Sequence, residues 1–150
     1  MMGTKFTKKA NQEPIRHSIW TFDKPKKIWT NNQKYVDSKS KSETSISSDL
    51  IIATYNVWFD SHRKEDRCKG LAKLLYDSKA DIIALQEVTT EFLKIFLAFD
   101  SIRNEFAISD ATGETFNGFG VAIFVRISDP ARLKLNKFSF HELESTQGKN

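Results

Sequence analysis

The sequence contains a single cysteine, Cys68, and so it excludes an internal disulfide framework. It has no apolar run near the roughly 18 residues that a membrane-spanning helix requires. Residues 1–33 also lack the apolar core of a secretory signal peptide, because lysine, asparagine, aspartate and glutamine interrupt them throughout. These absences predict an intracellular protein, in the nucleus or the cytoplasm, with no membrane partner.

Apolar residues make up 39% of the chain, against roughly 45–50% in typical globular domains. The first third is poorest in them and carries the whole net charge of +4. Residues 1–49 contain ten Lys and Arg against five Asp and Glu, whereas residues 50–150 contain thirteen against fourteen. A segment of that composition buries too little apolar surface to offset its ordering entropy. We therefore predict a basic, mostly disordered tail at residues 1–49, compatible with binding a polyanion, and a domain at residues 50–150.

Two segments of the tail differ in composition from the rest of it. Residues 20–29 include two tryptophans and a phenylalanine, too many apolar groups for a solvated tail, and predict an irregular strap across the domain. Residues 38–48 are rich in serine and predict a flexible linker. The domain boundary is accordingly predicted near Asp49.

The domain begins with the pattern of a strand, a helix and a strand. Residues 50–59 form a nearly continuous β-prone run, typical of a strand buried on both faces. Apolar residues then recur at helical spacing over residues 64–78. A second buried strand is predicted at residues 82–85, with Gln86 and Glu87 directly after it. This order predicts an α/β fold containing a crossover unit.

The rest of the domain continues the mixed α/β pattern. Thr90 predicts the N-cap of a helix over residues 91–98, whose phenylalanines are interpreted as core residues. A short strand is predicted at residues 106–108, a longer one at residues 118–125, and a weakly alternating edge strand at residues 133–140.

Polar side chains follow two of the predicted strands. Asn56 lies at the end of the first, and Glu87 follows the second. Sites in layered α/β proteins form where strand ends open into loops. An amide can hold a phosphate oxygen, and a carboxylate can bind Mg²⁺, which takes one or two carboxylates and completes its shell with water and substrate phosphate. Polar residues at strand ends are commonplace, however, so these two alone leave a purely structural role open.

Three stretches carry a resemblance to a known family. Ala-Thr-Tyr-Asn-Val-Trp at residues 53–58, Asp-Ile-Ile-Ala-Leu-Gln-Glu-Val at 81–88 and Gly-Val-Ala-Ile-Phe at 120–124 occur in order, with Arg67 between the first two. They are similar to the strand signatures of the endonuclease/exonuclease/phosphatase family, which has the deoxyribonuclease I-like fold. The resemblance implies the N-terminal half of a two-sheet α/β sandwich.

The resemblance also implies roles for individual residues. Glu87 would be the ligand of Mg²⁺, with Mn²⁺ as a possible substitute, Asn56 would contact the scissile phosphate or a metal-bound water, and Gln86 would support the loop. The implied activity is hydrolysis of a phosphate ester in DNA. Within the family, the aromatic strap, the Ser-rich linker and residues 145–150 are similar in layout to DNA-repair enzymes that cleave 5′-phosphotyrosyl bonds.

Other family motifs have no counterpart in these 150 residues. These are a His-x-Glu/Asn strand, an Asp-x-Asn pair and a final Ser-Asp-His. Residues 141–145, His-Glu-Leu-Glu-Ser, follow the Gly120 strand too closely to be the first of them and are interpreted as a loop. We therefore expect an incomplete chain without turnover of its own. The alternatives are a non-catalytic fragment or binding protein of this fold, and a phosphatase for inositol or lipid phosphates.

Three further side chains near these motifs have simpler interpretations. His62 is interpreted as a solvated loop residue rather than a substrate contact. Cys68 lies on the apolar face of the predicted helix and is interpreted as a small core residue, not a nucleophile. Trp58 fits a substrate contact and a packing role equally well.

Overall fold

A computed structural model describes residues 15–17, 19–31, 49–128 and 138–140, with side chains for residues 19–31 and 49–128. Most of the predicted disordered tail, much of the predicted edge strand and residues 141–150 lie outside the described residues. The described strands and helices are β1 (Ile15–His17), β2 (Trp20–Asp23), β3 (Ile28–Asn31), β4 (Ile52–Asn56), α1 (Lys64–Asp77), β5 (Ile82–Val88), α2 (Thr90–Phe96), α3 (Asp100–Arg103), β6 (Phe106–Ile108), β7 (Gly120–Arg126) and β8 (Phe138–Phe140).

The predicted crossover unit is confirmed. β4 and β5 pair in parallel, from Ile52 opposite Ile82 to Asn56 opposite Gln86, and α1 connects them. β5 is longer than predicted, because it continues through Gln86 and Glu87 to Val88. Both polar residues therefore belong to the strand, and the pairing of Gln86 with Asn56 and of Val88 with Gly120 fixes the positions on either side of Glu87.

The prediction that the first strand is buried on both faces is wrong. β4 lies at one edge of a six-stranded sheet in the order β3-β2-β6-β7-β5-β4. Within the described part of the chain it has a neighbour on one side only, and Ile52 is 64% exposed. A β-prone apolar run shows that a strand forms, but it does not show how many elements cover that strand.

The aromatic segment in the tail is a regular β-hairpin, and the prediction of an irregular strap is wrong. β2 and β3 pair antiparallel from Trp20 opposite Asn31 to Asp23 opposite Ile28, and Trp20 also pairs with Ile108 of β6. The hairpin thus extends the same sheet at the edge opposite β4. The predicted domain boundary near Asp49 stays a prediction.

All three helices contribute to one core against the sheet. Cys68, Leu71 and Leu75 of α1 pack in one cluster with Phe92 and Phe96 of α2, as the helical spacing predicted. Leu74, the fourth apolar residue of that spacing, is instead 56% exposed. Alternate residues of the central strands complete this cluster, namely Ile83, Leu85, Ala122 and Phe124. The α/β fold class predicted from the sequence is confirmed. None of the described helices combines the length and apolar character needed to cross a bilayer.

Two helix details differ from the predictions. Thr89, not Thr90, caps α2, because its side chain accepts a hydrogen bond from the backbone N–H of Phe92 at 3.1 Å. The short helix α3 was not predicted. Phe99 precedes α3 and is partly buried against the core, so the interpretation of the helical phenylalanines as packing residues is confirmed.

Candidate active site

The parallel pairing of β4 and β5 brings Asn56 and Glu87 together. The Nδ2 atom of Asn56 donates a hydrogen bond to Oε1 of Glu87 at 2.8 Å. The backbone N–H of Phe59 points to the other carboxylate oxygen of Glu87, with a long N–O distance of 3.4 Å. Two residues thirty-one positions apart in the sequence therefore form one polar group at the ends of neighbouring strands, as expected for an α/β site.

A β-bulge sets the direction of the Glu87 side chain. β5 pairs with β7 at Leu85 opposite Ala122 and again at Val88 opposite Gly120, so β5 has one additional residue between these pairs. Glu87 lies in this interval with φ of 58°, the left-handed region that non-glycine residues rarely adopt. Bulges next to active sites redirect side chains. Here the backbone stores strain where Glu87 meets Asn56.

A second strained residue lies on the other side of the pair. Trp58 has φ of 56°, and its backbone N–H donates to Oδ1 of Asn56 at 2.8 Å. The amide of Asn56 is thus held at both ends, by Trp58 and by Glu87, which fixes which atom is oxygen and which is nitrogen. Left-handed backbone at bulky residues persists only where the surroundings impose it, and it is concentrated at functional sites.

Arg67 holds the loop that carries these contacts. Its guanidinium donates to the carbonyl oxygens of Val57 at 2.8 Å, Trp58 at 2.9 Å and His62 at 2.9 Å; it also donates to the carbonyl of Asp60. The sequence placed Arg67 early in the helix without a role. In the structure it connects α1 to the β4–α1 loop through these bonds.

Gln86 takes a supporting position. Its Nε2 atom donates to Oγ1 of Thr54 at 2.8 Å and to the carbonyl oxygen of Ala84 at 2.9 Å. These bonds join β5 to β4 just before Asn56 and Glu87. A cavity of about 310 Å³ lies between the end of β4 and α1, bordered in part by Asn56 and Trp58.

Sequence reasoning missed an aromatic pair beside the site. The rings of Phe59 and Phe119 are stacked, with centroids 5.4 Å apart and an angle of 12° between their planes. Each residue is 51% exposed. Phe119 directly precedes Gly120, which pairs with Val88, so the ring lies next to the bulge that contains Glu87. In the sequence, the feature that could have pointed to this pair is that each phenylalanine lies near one end of a predicted strand.

His62 and Cys68 take no part in the Asn56–Glu87 group. His62 is an exposed loop residue, and its backbone N–H donates to Asp60 at 2.6 Å. Cys68 is fully buried, and burial raises the pKa of its thiol to about 11. The thiol is therefore protonated near neutral pH and is a core residue, as interpreted from the sequence.

The residues present fit a hard cation only in part. Among the residues that the structure describes, no three or more His, Cys, Asp or Glu side chains cluster for a metal ion. Mg²⁺ needs fewer protein ligands than that, since one or two carboxylates suffice when water and phosphate complete the shell. The carboxylate of Glu87 has about four acceptor positions, of which Asn56 and Phe59 use two. Glu87 can therefore still accept a cation.

Comparison with known proteins identifies the family. The model of the Endonuclease/Exonuclease/phosphatase family matches residues 53–128, which is half of the 150-residue chain and includes Asn56, Arg67 and Glu87. Neither the curated proteins nor the solved structures contain a significant match. The match spans the crossover unit, the bulge and β7, all the elements that position the polar pair. The chain belongs to the endonuclease/exonuclease/phosphatase family, a family of phosphodiesterase, nuclease and phosphatase-type hydrolases.

Proposed function

We propose that this chain belongs to a magnesium-dependent phosphodiesterase that hydrolyses a phosphate ester in DNA, with 5′-phosphotyrosyl DNA as the preferred substrate. The observation that carries the proposal is the 2.8 Å hydrogen bond between Asn56 and Glu87 at the ends of two parallel strands. Left-handed backbone at both Trp58 and Glu87 supports it, because two costly backbone conformations lie on either side of Asn56.

Each residue of the pair has a defined task in this proposal. Glu87 binds Mg²⁺ through the acceptor positions that Asn56 and Phe59 leave open. When bound, Mg²⁺ neutralises charge that develops on the phosphate oxygens. The Nδ2 atom of Asn56 carries two hydrogens; one bonds Glu87, and the second donates to a phosphate oxygen. Water attacks phosphorus and gives up one proton, the ester P–O bond breaks, and the leaving oxygen takes up one proton.

DNA is the proposed substrate on grounds of charge and family. The net charge of +4 is concentrated in residues 1–49, and basic segments attract the phosphate backbone. The preference for a 5′-phosphotyrosyl bond is supported by the sequence layout alone. The hairpin formed by residues 20–31 extends the sheet edge opposite β4, so its aromatic residues add no contact at the Asn56–Glu87 pair.

The test is Glu87→Gln in the full-length protein. Glutamine keeps the size and an acceptor for Asn56, but it removes the charge that attracts magnesium. We expect turnover of a 5′-phosphotyrosyl oligonucleotide to fall at least about 10²-fold, with partial recovery in excess Mg²⁺ or Mn²⁺. Glu91→Gln is the matched control, because Glu91 is an exposed carboxylate four residues later that pairs with Lys64. It is expected to retain normal turnover.

The outcomes separate the parts of the proposal. Near-normal turnover of Glu87→Gln at limiting magnesium would contradict the role of Glu87 as a metal ligand. Absence of magnesium-dependent hydrolysis by the unsubstituted full-length protein would contradict the phosphodiesterase proposal itself. Equal rates on tyrosyl-linked and plain DNA would contradict the tyrosyl preference, and faster hydrolysis of an inositol phosphate would favour the phosphatase alternative.

A further inference from the structure

The stacked pair of Phe59 and Phe119 is a surface feature that the proposed chemistry does not use. Both rings are half exposed and nearly parallel. Single exposed apolar residues are normal on protein surfaces, but here two planar rings from different parts of the sequence meet. Phe59 follows the β4 strand, and Phe119 lies between Gly118 and Gly120 at the start of β7.

The pair is fixed directly beside the proposed phosphate site. The backbone N–H of Phe59 points to the carboxylate of Glu87, and the pairing of Gly120 with Val88 holds Phe119 next to the same bulge. Trp58 adds a third half-exposed ring, whose centroid lies 4.9 Å from the guanidinium carbon of Arg67. Three exposed aromatic residues therefore lie on the two segments next to Glu87.

We propose that Phe59 and Phe119 form a stacking platform for a nucleobase adjacent to the phosphate that is hydrolysed. This inference rests on the proposed function and names a requirement of its substrate. Aromatic rings that accompany positive charge are the usual means of binding single-stranded nucleic acid, because every base has a face that stacks. In this chain the excess of positive charge lies in residues 1–49, whereas residues 50–150 contain thirteen Lys and Arg against fourteen Asp and Glu. The tail would therefore attract the phosphates, and the two rings would bind the base.

The platform has a consequence for the form of the DNA. A base inside a duplex has both faces covered by its neighbours, so it must leave that stack before it can lie on Phe59 or Phe119. The enzyme would then act on single-stranded DNA or on a frayed end. Intact duplex without an end is excluded as a good substrate.

The experiment measures binding without turnover. The full-length protein is titrated, in excess chelator, with fluorescent oligothymidylate and with an abasic oligonucleotide of the same length. We expect the abasic strand to bind at least about fivefold more weakly, and Phe59→Leu and Phe119→Leu each to weaken binding of oligothymidylate by a similar factor. Leucine keeps the apolar surface and removes the planar ring. Tyr76→Leu, an exposed aromatic residue of α1, is the control and is expected to bind as the unsubstituted protein does.

Each result decides the inference separately from the proposed function. Equal binding of the two strands, or unchanged binding by both phenylalanine variants with native circular dichroism, would overturn the platform. So would a dimer in sedimentation that the phenylalanine variants dissociate, since the pair would then be an interface between copies. Base-dependent binding without magnesium-dependent hydrolysis would retain the platform and refute the phosphodiesterase. If one variant fails to fold, the other and the abasic comparison still decide.

Discussion

The Nη1 atom of Arg67 lies 2.8 Å from the carbonyl oxygen of Val57, the residue that follows Asn56. The backbone N–H of Val57 in turn donates to the carbonyl oxygen of Gln86 at 3.0 Å. Val57 is thereby fixed between α1 and β5. The side chain of Asn56 is attached to the same short segment, so Arg67 controls the position of Asn56 without touching it.

Arg67→Lys should show whether Arg67 acts through its hydrogen bonds to the loop carbonyls or through its positive charge. Lysine keeps the positive charge but has one ammonium group, which cannot reproduce the planar arrangement of donors to several carbonyls. We expect the free energy of unfolding to fall by about 1–3 kcal/mol and the turnover of the full-length protein to fall with it. Urea unfolding measures the first and steady-state kinetics the second.

Arg63→Lys is the control for that substitution. Arg63 forms an exposed ion pair with Asp66 at 3.1 Å, and such pairs contribute about 0–1 kcal/mol. If Arg63→Lys destabilised the protein as much as Arg67→Lys does, the bonds to the loop carbonyls would not be what makes Arg67 important.

Two substitutions of Glu87 should reveal the strain at the bulge. Alanine is ordinarily more favourable than glycine inside a strand, because glycine loses more conformational freedom on folding. At φ of 58° the Cβ of alanine is unfavourable by about 1–2 kcal/mol. We therefore expect Glu87→Gly to be more stable than Glu87→Ala by about 1 kcal/mol in urea unfolding. Both variants lose the carboxylate, so the difference between their free energies of unfolding reports on the backbone conformation alone. If Glu87→Ala were more stable than Glu87→Gly, which is the usual order inside a strand, the backbone at residue 87 would not be strained.

Much of the fold was predictable because its signals are local. The helical spacing of Cys68, Leu71, Leu74 and Leu75 identified α1, although Leu74 is exposed. The apolar run ending at Leu85 identified β5. Periodicity of this kind reflects which face of an element is buried. The places of Asn56 and Glu87 at two strand ends suggested a shared site, and the family signatures then added a role for each of them.

The features that were predicted wrongly or missed depend on residues that are far away in the sequence. Nothing local to Ile52 indicates that β4 is an edge strand, because exposure depends on which neighbours are present. The hairpin at residues 20–31 joins the sheet through Trp20 and Ile108, a pairing across most of the described chain. The contact of Phe59 with Phe119 also needs the bulge, and its register shift cannot be read from the alternation of β5.

Cys68 should resist modification in the folded protein. Burial is the first cause of its raised pKa, which outweighs the opposite influence of Arg67 and Lys64. A thiol with a pKa of about 11 has little thiolate near neutral pH, and thiolate is the reactive form. We expect a thiol reagent to label Cys68 only as fast as the protein unfolds, and rapidly in denaturant. Fast stoichiometric labelling of folded protein would contradict the buried position.

Asp110 organises the loop between β6 and β7. Its Oδ1 accepts hydrogen bonds from the backbone N–H groups of Thr112 at 2.7 Å and Gly113 at 2.9 Å, and its Oδ2 accepts from the backbone N–H and hydroxyl of Thr115 at 2.9 and 2.6 Å. Burial by itself would raise the pKa of Asp110, but the hydrogen bonds from Thr115 and Thr112 outweigh it and lower the pKa to about 2. This loop leads to Gly118 and Phe119 just before β7.

The acid stability of the protein should therefore contain a contribution from Asp110. Its pKa falls from 3.8 to about 2 on folding, so between these values the unfolded chain binds more protons than the folded one. The contribution, roughly 2 kcal/mol, is fully present above the unfolded pKa and is lost as the pH falls through the folded pKa.

Asp110→Asn should be less stable near neutral pH, because one amide oxygen replaces two carboxylate acceptors. The stability difference between the unsubstituted protein and this variant should narrow as the pH falls from about 5 towards 2, measured by urea unfolding across that range. Asp100→Asn, at an exposed carboxylate paired with Arg103, is the control; a difference for Asp110→Asn that stays constant with pH would show that its carboxylate is not selectively stabilised by folding.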